Sequence, residues 1–153
     1  MAGGSQDAGA HGDRLSREWR VTATPVPELC DPGFVKLHVP DLESAAAFFE
    51  TVFGWSQNTV LEMAEFRQVA MSAQGNPFDV ILRAWKDGKP REIGNGWGPL
   101  GVRTNDLQAV LARALDQGSA IVREPTAAGA VRFAILRTPH NHEIELIERT
   151  DQA

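Results

Sequence analysis

The chain has 153 residues, of which 42% are hydrophobic and 23% charged, and its net charge is −5. These values fit one folded domain and exclude a disordered chain, a collagen-like repeat and a long coiled coil. No apolar run nears the roughly 18 residues of a membrane helix, and no basic excess points to nucleic acid.

Cys30 is the single cysteine, so neither an intramolecular disulfide nor a cysteine zinc cage can form. The start, MAGGSQDAGAHGDR, lacks a basic segment followed by an apolar one, so it does not read as a secretory signal. A cytoplasmic setting is expected. Residues 1–32 read as a flexible tail and connector, rich in Gly, Ala, Ser and Asp and then in proline (Pro25, Pro27, Pro32).

After Pro32 the pattern is regular. FVKLHV, from Phe34 to Val39, is strand-like. Asp41 is placed to cap a helix over Leu42–Phe53, and Gly54 to end it. Strands are expected near 56–63, 66–73 and 78–85, then a Gly-rich loop from Lys86 to Trp97. The order then repeats. LGVRT reads as a strand, and Asp106 as the cap of a helix over Leu107–Gln117 closed by Gly118. Leu107, Val110, Leu111, Ala114 and Leu115 recur at helical spacing. Strands follow near 120–124, 131–137 and 143–148.

One offset of 65 residues superposes Asp41 on Asp106, Leu42 on Leu107, Ala47 on Ala112, Arg67 on Arg132 and Asn76 on Asn141. Both helix starts and both final turns coincide without a gap. The expected fold is therefore α+β: two βαβββ modules, spanning 33–85 and 98–149, in a single domain over 33–149.

The segments HVPDLESAAAFFETVFGW and TPHNHEIEL resemble the vicinal oxygen chelate superfamily, the glyoxalase, bleomycin resistance and extradiol dioxygenase fold. The resemblance implies eight strands curled round a cleft, with chains commonly paired as homodimers. It does not by itself imply a reaction. Relatives with metals ligate them from one position on the first strand and one on the last strand of each module. Counted by motif and by the 65-residue offset, those positions here are Phe34, Val80, Pro99 and Glu145. Only Glu145 offers a donor, and a transition metal wants three or more. No metal and no cofactor is therefore expected.

Strand alternation places Phe34, Lys36 and His38 on one face, with Arg103 on the corresponding face of the second module. Glu143 and Glu145 share a side of the closing strand. Lys36, His38, Arg103, Glu143 and Glu145 are expected on the cleft floor, with Phe34, Phe78, Val80 and Leu82 as an apolar wall. Trp97, and Trp85 at a strand end, are placed to rim it. Two readings of this floor stand side by side. In one, His38 or Glu145 moves a proton while Lys36 or Arg103 steadies an enolate or carboxylate. In the other, the charges pair across a wet strand face. His140 and His142 read as turn residues flanking Asn141 rather than a metal pair.

The sequence thus points to a metal-independent protein for a small, partly apolar organic ligand. A cofactor-free isomerase, lyase or cyclase using His38, Glu145 and Lys36 is favoured. Phe34, Phe78, Val80, Trp97, Arg103 and Glu143 are the expected ligand contacts. The alternatives are a non-catalytic drug- or metabolite-binding protein and a divalent-metal enzyme with displaced ligands. No nucleic-acid or membrane partner is expected.

Overall fold

The computed structural model of the protein describes residues 33–150; the tail and connector assigned to 1–32 lie outside these residues. In chain order the elements are β1 (Phe34–His38), α1 (Leu42–Phe53), β2 (Ser56–Glu62), β3 (Phe66–Ser72) and β4 (Asp79–Trp85). They are followed by β5 (Leu100–Thr104), α2 (Leu107–Asp116), β6 (Ala120–Ala128), β7 (Val131–Arg137) and β8 (Glu143–Arg149). Two four-stranded sheets form, ordered β1-β4-β3-β2 and β5-β8-β7-β6. In each, the first strand runs parallel to the last and the other pairs are antiparallel. The α+β architecture of paired βαβββ modules is as the sequence pattern predicts.

The helix boundaries follow from local chemistry. An Asp41 carboxylate oxygen accepts from the Ser44 backbone N–H at 2.8 Å, and Asp106 does the same for Ala109 at 2.9 Å. Each satisfies an N–H that the first helical turn leaves without a partner. Gly54 ends α1 at φ 69°, a left-handed conformation that glycine reaches without steric cost.

The apolar face of each helix packs on its own sheet, and the two helices also pack on each other. One buried cluster therefore spans both modules. It includes Phe48, Phe49 and Val52 of α1, Leu107, Leu111 and Ala114 of α2, and Val80, Leu82, Ile144 and Leu146 of the sheets. The apolar period of α2 extends one residue too far: Leu115 is 42% exposed at its rim.

The duplication has a gap. The offset of 65 holds through the turn after the third strand of each module. Asn76 N–H donates to Ala73 O at 3.1 Å, and Asn141 N–H to Thr138 O at 3.0 Å. Residues 73–78 then lead into β4, but only 138–142 lead into β8. Pro77 and Phe78 occupy the stretch where His142 stands alone. The last strands are thus related by 64 residues, and a one-residue slip moves every side chain to the opposite face.

The slip corrects the expected apolar wall. Val80 and Leu82 are 2% and 0% exposed and face α1, as Ile144 and Leu146 face α2. Phe78 is half-buried and packs against that core. None of the three lines the cleft. The residues of β4 on the cleft side are Ile81, Arg83 and Trp85, whose strand partners are Lys36 and His38 on β1 and Phe66 on β3.

Candidate functional site

A cavity of about 780 Å³ lies along the seam between the modules. Its walls are β1, the loop linking β4 to β5, the start of β5 and the turn before β8. β1 presents an open edge here. It bonds to β4 through its odd-numbered residues: Val39 N–H donates to Arg83 O, and Gly33 O accepts from Asp79 N–H. Parallel pairing sends the backbone groups of alternate residues to opposite edges, so those of Lys36 and His38 point away from β4.

His142 closes part of that edge. Its Nε2–H donates to the His38 carbonyl oxygen at 2.8 Å. A carbonyl only accepts, so the proton sits on Nε2. The ring is buried, which is the main reason its pKa lies below the ordinary value; the bond to His38 opposes that shift. His142 is thus a neutral strut between modules. His140, its turn neighbour, rests 3.2 Å from Ser44 Oγ and is also shifted down, chiefly by burial.

His38 differs in kind. Its side chain projects into the cavity, edge-on to Trp85 at 5.9 Å between ring centroids. Its pKa is lowered first by burial, then by Arg83, Arg91, His142 and Lys36. All four of these neighbours are cationic or basic. The result is an imidazole held in its neutral, proton-accepting form beside positive charge.

The cations are held by aromatic faces. The Arg83 guanidinium lies 3.8 Å from the Phe66 ring centroid and 5.6 Å from that of Trp85. Its Nε–H and one NH2 donate to Gln68 Oε1 at 3.0 and 2.6 Å. Arg91 lies 5.0 Å from the Trp85 centroid. A tight turn keeps it there: Asp87 pairs with Arg91 at 2.7 Å and accepts from the Lys89 backbone N–H at 3.1 Å. These bonds hold the exposed Asp87 carboxyl below its usual pKa. Lys36 Nζ stands 5.2 Å from the Phe34 ring centroid.

Of the catalytic and contact residues expected from the sequence, Lys36, His38, Trp97 and Glu143 line this cavity, whereas Trp85, expected at its rim, stands behind the lining. Glu143 is paired with Arg137 at 2.8 Å. Arg103 and Glu145 share the cleft face of the second sheet, opposite Ile147 and Gly101 in register, but lie outside the cavity lining. Phe34 is 58% exposed beside the cavity, and Phe78 and Val80 belong to the core. Arg83, Phe66, Arg91 and Arg137 are not singled out by the sequence, and His142 reads there only as a turn residue. For Arg83 a signal existed. Ile81, Arg83 and Trp85 alternate on β4, and putting Val80 in the cleft sends Arg83 into the core.

The register that pairs Gly101 with Glu145 pairs Lys36 with Ile81, so Ile81, not Val80, is the first-module counterpart of Glu145. The four metal positions of the resemblance are Phe34, Ile81, Pro99 and Glu145, with one donor side chain among them. Among the described residues no group of three or more His, Cys, Asp or Glu is placed to hold a metal ion. The residues present do not fit a resident metal.

Two βαβββ modules with a cavity at the seam of their first strands define a class of proteins built on a duplicated unit. The chain belongs to the Glyoxalase/Bleomycin resistance protein/Dioxygenase superfamily, whose family model matches residues 32–146. No curated protein matches it by sequence.

Solved structures agree on the fold. A glyoxalase family protein from Bacillus cereus superposes with a TM-score of 0.71 at 16% identity, over 83% of this chain and 99% of that one. TnmS3, an antibiotic binding protein from Streptomyces sp. CB03234, gives 0.64 at 22% identity, over 79% and 97%. Glyoxalase I from Zea mays gives 0.70 at 21% identity, over 78% of this chain but only 45% of the maize chain. Among the described residues no helix is long and apolar enough to cross a membrane.

Proposed function

We propose that the protein binds a small organic molecule in the seam cavity without a metal, and that His38 transfers a proton there. One observation carries this reading: a neutral imidazole opens into the cavity beside Lys36 and Arg91. A neutral base abstracts a proton from carbon, and neighbouring cations stabilise the enolate that forms or a carboxylate the substrate already carries. That is the chemistry of a cofactor-free isomerase, lyase or cyclase. Glu145 has no part in it, because it does not line the cavity.

A non-catalytic binding protein is the second reading. It is favoured by Trp97, which lines the cavity yet is 74% exposed, an apolar surface suited to a ligand. The antibiotic-binding neighbour from Streptomyces supports it in fold alone.

The test is a panel of carbon acids incubated in D2O with chelator-treated protein. NMR reads loss of the exchanging proton. Exchange that survives chelation and falls in His38→Gln supports catalysis. Binding in the cavity without exchange leaves the binding reading. Exchange that needs added metal overturns metal independence. We also propose a homodimer, because the edge strand β2 is exposed along its whole length. Sedimentation at twice the chain mass is the expected result.

A further inference from the structure

We propose that the ligand of this cavity is a flat organic anion: a single carboxylate on an aromatic or conjugated skeleton, received by Lys36 and Arg91 with Arg83 behind them. This rests on the reading of the seam cavity as the ligand site, and adds the charge and shape of what enters.

The charge argument begins with the whole chain. It carries 15 basic and 20 acidic side chains, so a local excess of cations runs against its composition. Yet the cavity lining holds Lys36, Arg91 and Arg137 against Glu92 and Glu143. Glu143 is taken by Arg137 and Arg91 by Asp87. Lys36 makes no ion pair among the described residues, and neither does Arg83, whose partner is the neutral amide of Gln68. Glu92, on the exposed loop, offsets part of this positive charge. The excess that remains suits one negative charge.

The shape argument comes from the aromatic groups. Cation–π stacking holds the guanidinium of Arg83 against Phe66 and that of Arg91 against Trp85. Trp85 Nε1–H is buried and has no acceptor among the described residues, in a neighbourhood already rich in donors. Arg83 and Trp85 stand behind the cavity lining, so Arg83 acts through its charge and the direct contacts fall to Lys36 and Arg91. Trp97, at the cavity mouth, offers a broad ring face to solvent. A ligand with a charged end and a flat apolar body satisfies both groups at once.

The experiment uses the full chain and three probes of one shape: 2-naphthoate, 2-naphthamide and 2-naphthylmethylammonium. NMR follows the indole N–H signals of Trp85 and Trp97, assigned by Trp→Phe substitution. Naphthoate is expected to bind about tenfold more tightly than the amide, and the ammonium more weakly still. Lys36→Gln should remove most of that advantage, weakening naphthoate about tenfold and the amide far less. Arg83→Gln should act likewise; where it disturbs folding, Lys36→Gln on the exposed strand face carries the test. Raising NaCl from about 20 mM to about 0.5 M should weaken the anion alone. If the amide or ammonium binds as tightly as naphthoate and moves the same indole signals, the anion proposal falls while the cavity stands as a ligand site. If no probe moves either signal, the cavity reading fails and takes the proposal with it.

Discussion

The two modules share a frame and divide the work. Corresponding positions on the first strands are Lys36 and Gly101, His38 and Arg103. On the last strands they are Asp79 and Glu143, Ile81 and Glu145, Arg83 and Ile147. The core sides hardly differ: Val80 and Leu82 answer to Ile144 and Leu146, all at most 2% exposed. The cleft sides differ in chemistry at every position but one, Asp79 and Glu143 both being carboxylates. The first module gathers unneutralised cations on aromatic rings, while the second pairs Arg137 with Glu143. Burial holds the duplicated core constant, because each volume change there creates a cavity or a clash. The partly hydrated face carries no such penalty and is free to specialise.

The sharpest way to break the comparison is to put a charge on each side of β4. Val80→Asp should unfold the protein, a loss of about 4 kcal/mol or more from an unpaired buried charge. Ile81→Asp, one residue on, should leave it folded, with urea denaturation as the measurement. The reverse order of damage would restore the ungapped offset of 65. Leu82→Ala and Leu146→Ala should each cost about 3 kcal/mol if the cores are equivalent.

On the proposed chemistry, His38→Ala should lower turnover about a hundredfold, with stability changed by about 1 kcal/mol or less. Arg103→Ala, at the matching position, should show the smaller loss. Equal losses would mean that the modules act alike.

The paired arginines, Arg67 and Arg132, give a subtler contrast. Arg67 meets Glu43 and Glu62 at an exposed surface. Arg132 binds Glu148 at 2.7 Å, and the Glu148 side chain is only 14% exposed. Glu148 also accepts from the Leu107 backbone N–H at 3.0 Å, tying β8 to the start of α2. Arg132→Ala should therefore cost about 1–2 kcal/mol, and Arg67→Ala under about 1 kcal/mol. Chemical denaturation at moderate salt separates them.

The smallest effect expected is the pH dependence of the second module's turn. Burial lowers the pKa of both His140 and His142. Between the unfolded value of 6.5 and the lower folded values, the unfolded chain binds more protons. Stability is then full above pH 6.5 and declines as pH falls below it. Urea midpoints from about pH 7.5 to 5.5 should fall, and fall less in His142→Asn.

The fold was legible because its signals are local. Asp41 and Asp106 cap helices wherever those helices sit, and the apolar period of α2 needs no knowledge of a partner. The family segments added the topology. The site was only half legible. Lys36 and His38 follow from alternation on β1, which starts near its own motif. Arg83 depended on the length of a turn that five identities at one offset made look gapless. His142 and Arg91 act across the seam and along a loop, where no period exists to be read. Glu145 matched a motif inherited by sequence, yet the cavity opens elsewhere.

The open edge of β1 has a consequence for how such a protein changes over generations. The N–H groups of Lys36 and His38 belong to the main chain, so substitution cannot delete them unless it introduces proline. Any ligand that engages them keeps that foothold while the side chains around it drift. Mutations at Arg83, Trp97 or Arg91 can therefore explore new chemistries from a starting affinity above zero. A seam of this kind favours gradual exchange of one ligand for another over loss of binding and its reinvention.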